Sequence, residues 1–170
     1  ILKEVEQECG WMYETWHPNC DDPNRVKGKI NYTVWSDVFV CPNCGQEMAF
    51  WDVAVDNDSK KIENSWKCTK CGSLICKSPK KENTASQAER AREIRFDPAQ
   101  KKTINLAKQV PVKIYYKVGK KRFEKKPDVE DLRLIQKIEE SQICYPFPIN
   151  ELPMGFNTQQ PRISHGLTHV

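Results

Sequence analysis

Two matched cysteine pairs constrain this chain more than any other feature of its sequence. The pairs read Cys41-Pro-Asn-Cys44-Gly and Cys68-Thr-Lys-Cys71-Gly. Two residues between cysteines let both thiolates of a pair face one ion, and the glycine after each pair allows the backbone to turn. Four thiolates complete a tetrahedron without an open position for water or substrate. The sequence therefore predicts a structural zinc ion bound by Cys41, Cys44, Cys68 and Cys71.

The spacing between the pairs favours a ribbon over the other uses of paired cysteines. The 23 residues between Cys44 and Cys68 exceed the common interval of about 15–20 residues. A pair of strands at 48–55 and 62–67 would fill this gap. Disulfides of a secreted protein and a redox pair are the alternatives, but a redox Cys-x-x-Cys usually stands alone near a βαβ pattern. No such pattern surrounds these cysteines.

The remaining cysteines and histidines are weaker candidate ligands. Cys76 follows Cys71 by five residues and could replace a ligand, although a buried apolar cysteine is the favoured interpretation. Four side chains form two incomplete sets, namely His17 with Cys20 and His165 with His169. Cys9 and Cys144 are expected to pack in cores.

The hydrophobic pattern predicts an α+β fold of zinc-ribbon β-hairpins, a further basic β-hairpin and a few short helices. Strands are expected at 32–40, 49–55, 62–67, 74–77 and 110–116, with a return strand beginning at Arg122. Helices are expected to end near Gly10, to span 85–95, and to follow a cap at Asp128. The last helix is expected to bury Val129, Leu132, Ile135 and Ile138. No apolar run is long enough to span a bilayer and no signal-peptide pattern begins the chain, so we expect a cytoplasmic protein without a membrane partner.

The chain is expected to comprise four segments and to belong to a larger protein. The segments are a helix end and connection at 1–27, a zinc ribbon at 28–78, a basic hairpin and helix at 79–143, and an irregular segment at 144–170. The first helix already lacks its beginning at Ile1, which suggests that the chain is an excised piece.

Positive charge is concentrated in the middle of the sequence. Residues 1–24 carry a net charge of −5 and residues 127–170 a net charge of −3, which leaves +12 for residues 25–126. A basic centre between acidic ends points to a polyanion, most simply double-stranded DNA. The alternative is a solubilising hairpin with ordinary lysines. The predicted DNA contacts cluster around one turn, and they are Lys113, Lys117, Lys120, Lys121, Arg122, Lys125 and Lys126.

Four blocks of the sequence resemble the bacterial DNA modification methylases. These blocks are 10–16 (GWMYETW), 28–56 (GKINYTVWSDVFVCPNCGQEMAFWDVAVD), 109–128 (QVPVKIYYKVGKKRFEKKPD) and 166–170 (GLTHV). Members of that family methylate adenine N6 or cytosine N4 with S-adenosylmethionine. The resemblance implies a target recognition domain inserted in the catalytic fold, with adenine N6 the favoured target.

The catalytic motifs of that family are missing from this chain. None of its eleven prolines are adjacent, and no two glycines are separated by a single residue. The resemblance therefore implies that the chain alone is inactive. It would position duplex DNA for the catalytic domain of the same polypeptide, and S-adenosylmethionine would bind only the full-length enzyme. The alternative is a zinc-ribbon module that binds RNA or another protein.

Overall fold

A computed structural model describes residues 2–56, 61–77, 85–97 and 101–141 of the 170-residue chain. It contains three α-helices: α1 (Leu2–Cys9), α2 (Phe50–Ala54) and α3 (Val129–Glu140), with a short 3-10 helix at Gly10–Tyr13. The first seven strands are β1 (Glu14–His17), β2 (Val26–Val40), β3 (Glu47–Ala49), β4 (Ser65–Lys67), β5 (Leu74–Cys76), β6 (Ser86–Gln87) and β7 (Glu89–Arg90). The others are β8 (Arg92–Asp97), β9 (Lys102–Ala107), β10 (Gln109–Val118) and β11 (Lys121–Lys125).

The fold class is α+β, as the sequence predicted, with strands dominating over short helices. Residue contacts divide the chain into two compact units. The described residues of unit 1 are 2–35 and 111–141, and those of unit 2 lie between 36 and 110. The chain passes from one unit to the other inside β2 and again inside β10. The four segments expected from the sequence remain a prediction.

Unit 1 is a sheet in the strand order β1-β2-β10-β11. β1 pairs antiparallel with β2, and β10 pairs antiparallel with β11. Along β10 the side chains alternate between two faces, because successive residues of a strand point to opposite sides. Ile114 and Tyr116 are each 1% exposed on one face, whereas Lys113, Tyr115 and Lys117 occupy the other.

Gly28 of β2 lies where the sheet leaves no room for a side chain. A Cβ atom there would approach Tyr116 Cδ2 to 2.7 Å and the Lys117 carbonyl oxygen to 3.2 Å. Tyr116 is buried and cannot move aside, so Gly28→Ala is expected to destabilise the protein by about 1–3 kcal/mol. Urea unfolding measures this loss. Gly10→Ala is the matched control, because its Cβ would meet only Glu6 Cγ at 3.9 Å; equal effects of the two substitutions would contradict the steric explanation.

Unit 2 is built from the end of β2 with β3 and β7, the three-stranded sheet β4-β5-β6 and the hairpin β8-β9. One buried hydrophobic cluster lies among these elements. Its members are Phe39, Cys41, Met48, Ala54, Trp66, Cys68, Ile75 and Ala88. Two of the predicted zinc ligands therefore belong to the core of this unit.

The strand predicted at 49–55 is wrong, because residues Phe50–Ala54 form the single helical turn α2. Phe50 and Val53, three residues apart, both pack against the buried cluster. Side chains three apart share one face of a helix but lie on opposite faces of a strand. In a run that is apolar at most positions, period-two alternation is a weak signal, and the packing decides the conformation.

The helix predicted at 85–95 is also wrong, since this stretch forms β6, β7 and the start of β8. Its backbone amides bond to neighbouring chain segments instead of to their own turn. The Ala88 amide donates to the Cys76 carbonyl at 2.9 Å, and the Ala91 amide donates to the Val38 carbonyl at 2.8 Å. The good helix formers in the stretch predicted a helix, but tertiary pairing overrides this weak preference.

Helix α3 begins after Asp128 as predicted, yet it does not bury the predicted face. Val129 is 58% exposed and Leu132 is 49% exposed, whereas Asp131 is 3% exposed. Ile135 and Ile138 are half-buried. The helix buries the side that carries Asp131, because this carboxylate accepts a hydrogen bond from Thr15 and forms an ion pair with Lys125.

None of the helices in the described part of the chain is both long and apolar enough to cross a membrane. Cys144, His165 and His169 lie outside the described residues, as does the irregular segment predicted at 144–170.

Candidate metal centre and basic hairpin

Each cysteine pair lies in a turn, and the two turns have the same geometry. The Gly45 amide donates to the Cys41 carbonyl at 2.9 Å, and the Gly72 amide donates to the Cys68 carbonyl at 3.0 Å. Gly45 has φ of +72° and Gly72 has φ of +73°. This left-handed backbone is strained for residues with a Cβ, which explains the glycine after each pair.

The two turns bring all four cysteine sulfurs together. Cys41 Sγ lies 3.7 Å from Cys71 Sγ, and Cys44 Sγ lies 3.6 Å from Cys68 Sγ. All four sulfurs lie within 4.8 Å of one another. A tetrahedron with Zn–S bonds of about 2.3 Å has edges of about 3.8 Å. The four cysteines are therefore positioned to bind one zinc ion, as their spacing predicted.

Hydrogen bonds around the sulfurs favour a bound cation. The Ser73 hydroxyl lies 3.2 Å from Cys71 Sγ and the Asn43 amide nitrogen lies 3.6 Å from it. Ser73, through its hydroxyl and backbone amide, and Asn43 lower the pKa of Cys71 to about 5. The Gln46 backbone amide favours the Cys44 thiolate, but burial and the neighbouring cysteines outweigh it and raise the pKa of Cys44 to about 12. A metal cation supplies the charge that lets all four ligands ionise together.

An aromatic cluster packs against the cysteines of the metal centre. Phe39 and Phe50 contact Trp66 at ring-centroid distances of 5.6 and 5.3 Å, both edge to face. Cys41 and Cys68 are buried in the same cluster. The ring packing and the sulfur site therefore depend on one another.

The other cysteines and histidines that the structure describes do not join this site. The Cys76 thiol is fully buried, and its Sγ lies 3.7 Å from each of the carbonyl oxygens of Ala85 and Ser86, either of which can accept its proton. The ring of His17 lies 4.1 Å from that of Phe123, and its Nδ1 lies 2.7 Å from the Tyr116 hydroxyl. Within the described ranges, the four-cysteine set is the one group of at least three potential ligands that converges.

The predicted basic hairpin exists as β10 and β11, and its register assigns each side chain to a face. Lys117 lies opposite Arg122, and Tyr115 lies opposite Glu124. Directly opposite residues of an antiparallel pair share a face, so these four side chains lie on the same side of the sheet. Lys121, one residue before Arg122, lies on the other side.

Two of the predicted DNA contacts already have acidic partners. Lys113 Nζ lies 3.1 Å from Glu124, and the Lys113 side chain is 23% exposed. Lys125 Nζ lies 2.7 Å from Asp128 and 2.8 Å from Asp131, and its side chain is only 6% exposed. Burial disfavours the charged lysine, but the hydrogen bonds to the two aspartates outweigh it and raise the pKa of Lys125. Lys125 is thus occupied inside unit 1 and is not offered to a ligand.

The other five predicted contacts remain exposed on the hairpin and just after it. They form no ion pair or hydrogen bond within the described part of the chain, and they are Lys117, Lys120, Lys121, Arg122 and Lys126. Gly119, with φ of +59°, makes the tight turn between the strands. Lys117, Lys120, Lys121 and Arg122 lie at or beside this turn, and we call these four residues the cationic edge.

A buried polar network around Lys125 was missed by the sequence analysis. The Thr15 hydroxyl donates to Asp131 at 2.5 Å, and the Cys20 amide donates to Asp128 at 3.1 Å. Asp128 also caps α3 by accepting from the Glu130 and Asp131 amides. Burial raises the pKa of Asp128, but the bond from Lys125 and the backbone amides outweigh it and lower the pKa. The capping pattern at Asp128 was visible in the sequence, but the bond between Thr15 and Asp131 joins residues that are 116 positions apart.

A pair of stacked tyrosines also lies on the face that holds Lys117 and Arg122. The Tyr32 and Tyr115 rings stack at a centroid distance of 4.6 Å with 23° between their planes. Tyr32 remains 56% exposed. The alternation of charged and aromatic residues along β10 was a signal for this face, but its pairing with β2 was not visible in the sequence.

Among known proteins, the chain is similar to archaeal proteins named Transcription factor E. Relatives from Saccharolobus islandicus (strains Y.N.15.51 and L.S.2.15) and Saccharolobus solfataricus are each 26% identical over 85 residues. The match covers 43% of this chain and 43 to 44% of each relative. The chain thus spans less than half the length of the relatives it matches. No family model and no solved structure matches it.

These comparisons correct the resemblance to DNA modification methylases, which is wrong because the matching proteins are transcription factors. The catalytic partner domain and S-adenosylmethionine were implied by that resemblance alone, so neither is supported. What remains is a mostly β-stranded chain with four clustered cysteines, similar over less than half its length to Transcription factor E.

Proposed function

We propose that this chain is a zinc-ribbon module that binds DNA as part of a transcription factor. The observation that carries the proposal is the cationic edge at the β10–β11 turn, where four exposed basic side chains form no ion pair in the described part of the chain. The name of the relatives supports the setting in transcription.

The zinc ion would have a structural role. Four cysteine ligands leave no coordination position for a substrate, so the ion would hold the two turns together without reacting. The proposed DNA contacts lie in unit 1, whereas the four cysteines lie in unit 2. The metal is thus assigned to folding and the basic hairpin to binding.

Phosphate contact is the main role expected for the hairpin. Exposed lysines around a turn reach phosphates without reading the sequence, and they release counterions when they do. Lys113 and Lys125 are left out of the proposed interface because both are bound to carboxylates.

A zinc-ribbon module that binds RNA or another protein is the second candidate. Exposed apolar side chains on the β8–β9 hairpin favour a protein partner: Ile94 is 75% exposed and Phe96 is 60% exposed, two residues apart on one face of β8. Loss of partner binding on Ile94→Ser with Phe96→Ser, with DNA affinity unchanged, would favour this candidate.

Replacing Lys120, Lys121 and Arg122 with alanine is expected to weaken binding to a 20-base-pair duplex about tenfold or more. Because each lost phosphate contact removes about 0.9 from the slope of log K against log salt, the slope should fall by about two to three. Fluorescence anisotropy across a salt series measures both quantities.

The matched control removes the same charge from other surfaces, with Lys3, Lys67 and Lys70 replaced by alanine. It should retain nearly all of the affinity. An equal loss in both triple variants would mean that net charge, and not the hairpin, determines binding. Equal affinity of the wild-type chain for RNA and duplex DNA would favour the second candidate.

A further inference from the structure

One face of unit 1 combines exposed aromatic rings with exposed cations. We call it the stacking surface and define it by Tyr32, Tyr115, Lys117 and Arg122. It borders a shallow cleft of about 650 Å³, which Asn31 also lines. The opposite face of the same strands contains the buried Ile114 and Tyr116, so the stacking surface is not part of a core.

The aromatic part of this surface offers a free ring face. Tyr115 covers one side of the Tyr32 ring at 4.6 Å, while Tyr32 stays 56% exposed. The exposed area of Tyr32 is therefore its other side and its edge. Large aromatic rings on open sheet surfaces are the platforms on which proteins stack unpaired bases.

The charged part of the surface places two like charges side by side. Lys117 and Arg122 lie directly opposite each other on neighbouring strands, and like charges in that position destabilise a sheet. Glu124 on the same face is paired with Lys113. Glu6 is hydrogen-bonded to Lys29. This bond lowers the pKa of Glu6 more than the charge of Lys117 does. Glu124 lines the same cleft, but neither acid forms an ion pair with Lys117 or Arg122, and a phosphate between the two cations would relieve their repulsion.

We propose that the stacking surface binds an unpaired nucleotide strand, with a base on Tyr32 and a phosphate between Lys117 and Arg122. This inference rests on the proposed function and specifies it, because paired bases in a duplex are stacked on one another and cannot lie on a tyrosine ring. Duplex contacts use the cationic edge at the turn, and an unpaired strand uses the adjacent face, which shares Lys117 and Arg122 with that edge. The strand is assigned as DNA, because the inference rests on DNA binding by this chain.

The test uses the whole chain with fluorescein-labelled oligodeoxyuridine and oligouridine 12-mers and a duplex of equal length, all measured by anisotropy. Tyr32→Ala is expected to weaken single-strand binding about 5- to 100-fold, the loss typical for one base–aromatic stack, and to leave duplex binding within about twofold. Tyr32→Trp should retain single-strand binding. Circular dichroism and thermal unfolding check that each variant is folded.

A second pair of variants tests the charged part without touching an aromatic ring. Arg122→Ala should weaken single-strand binding clearly more than Lys121→Ala, because the neighbouring Lys121 lies on the other side of the sheet. In addition, photocrosslinking of a 5-iodouridine strand should label a peptide that contains Tyr32. The Arg122→Ala and Lys121→Ala variants change adjacent residues and have the same net charge.

The outcomes separate this inference from the proposed function. Binding to duplex but no detectable binding to either single strand, or an unchanged single-strand affinity in folded Tyr32→Ala, would overturn the stacking surface alone. No binding to any of the three probes would overturn both. Clearly tighter binding of oligouridine than of oligodeoxyuridine would contradict the assignment of the strand as DNA.

Discussion

Removing the metal from the four-cysteine site is expected to unfold unit 2. Apparent binding energies of structural zinc are about 10–16 kcal/mol in small zinc-binding peptides at pH 7. Whole domains are stable by only about 5–15 kcal/mol, so loss of the ion is sufficient to unfold the unit. A strong chelator or Cys41→Ser should therefore abolish the near-ultraviolet dichroism of Trp66, which is 3% exposed beside the site.

Native mass spectrometry provides the second measurement. The wild-type chain should carry one zinc ion and the Cys41→Ser chain none. Cys76→Ala is the control, because Cys76 is equally buried but lies outside the four-sulfur cluster. It should keep the zinc and lose about 1 kcal/mol of stability. A spectrum unchanged after proven loss of zinc would refute the structural role of the site.

The second large effect is expected from the buried network of unit 1. Lys125→Met should lower the free energy of unfolding by about 3–5 kcal/mol, because it leaves Asp128 and Asp131 buried without their cation. Lys126→Met is the matched control. It changes the next residue, which is exposed, and should alter stability by no more than about 0.5 kcal/mol. Urea unfolding of both variants measures the difference.

The same network predicts how stability depends on pH. Asp128 has a lowered pKa, so its contribution is fully present above the unfolded value of about 3.9 and is lost as the pH falls through the folded value. Lys125 has a raised pKa, so its contribution is present below the unfolded value of about 10.4 and is lost as the pH rises through the folded value.

The network should therefore stabilise the protein between about pH 4 and pH 10. Adding Asp131→Asn to Lys125→Met should recover part of the lost stability, since it removes one unpaired charge. If Lys125→Met and Lys126→Met unfold at the same urea concentration, the network does not stabilise unit 1.

The elements predicted correctly are those whose signal is local. Asp128 was identified as a helix cap from its own residue type and its position before α3. The strands β2 and β10 were expected from β-branched and aromatic residues that succeed one another along the chain. The two turns at the cysteines follow from the glycine after each pair, where φ is positive.

The elements predicted wrongly are those in which distant partners override a weak local preference. The stretch from Ala85 forms strands because its amides bond to Cys76 and Val38, which the local composition does not reveal. Phe50 and Val53 share a helical face because one core lies beside them. The methylase interpretation came from blocks of sequence, and the comparisons with curated proteins overturned it.

The sequence by itself determined the four-cysteine site, because ligand type, spacing and a following glycine are local properties. They specify a turn at each cysteine pair and a tetrahedral set of four thiolates. Only the tertiary structure decided which of the clustered lysines are free. Lys125 and Lys121 look alike in the sequence, yet Lys125 is buried between two aspartates and Lys121 is exposed. Strand register and the packing of α3 make this distinction, since they determine which charges meet an opposite charge inside the protein and which remain for a ligand.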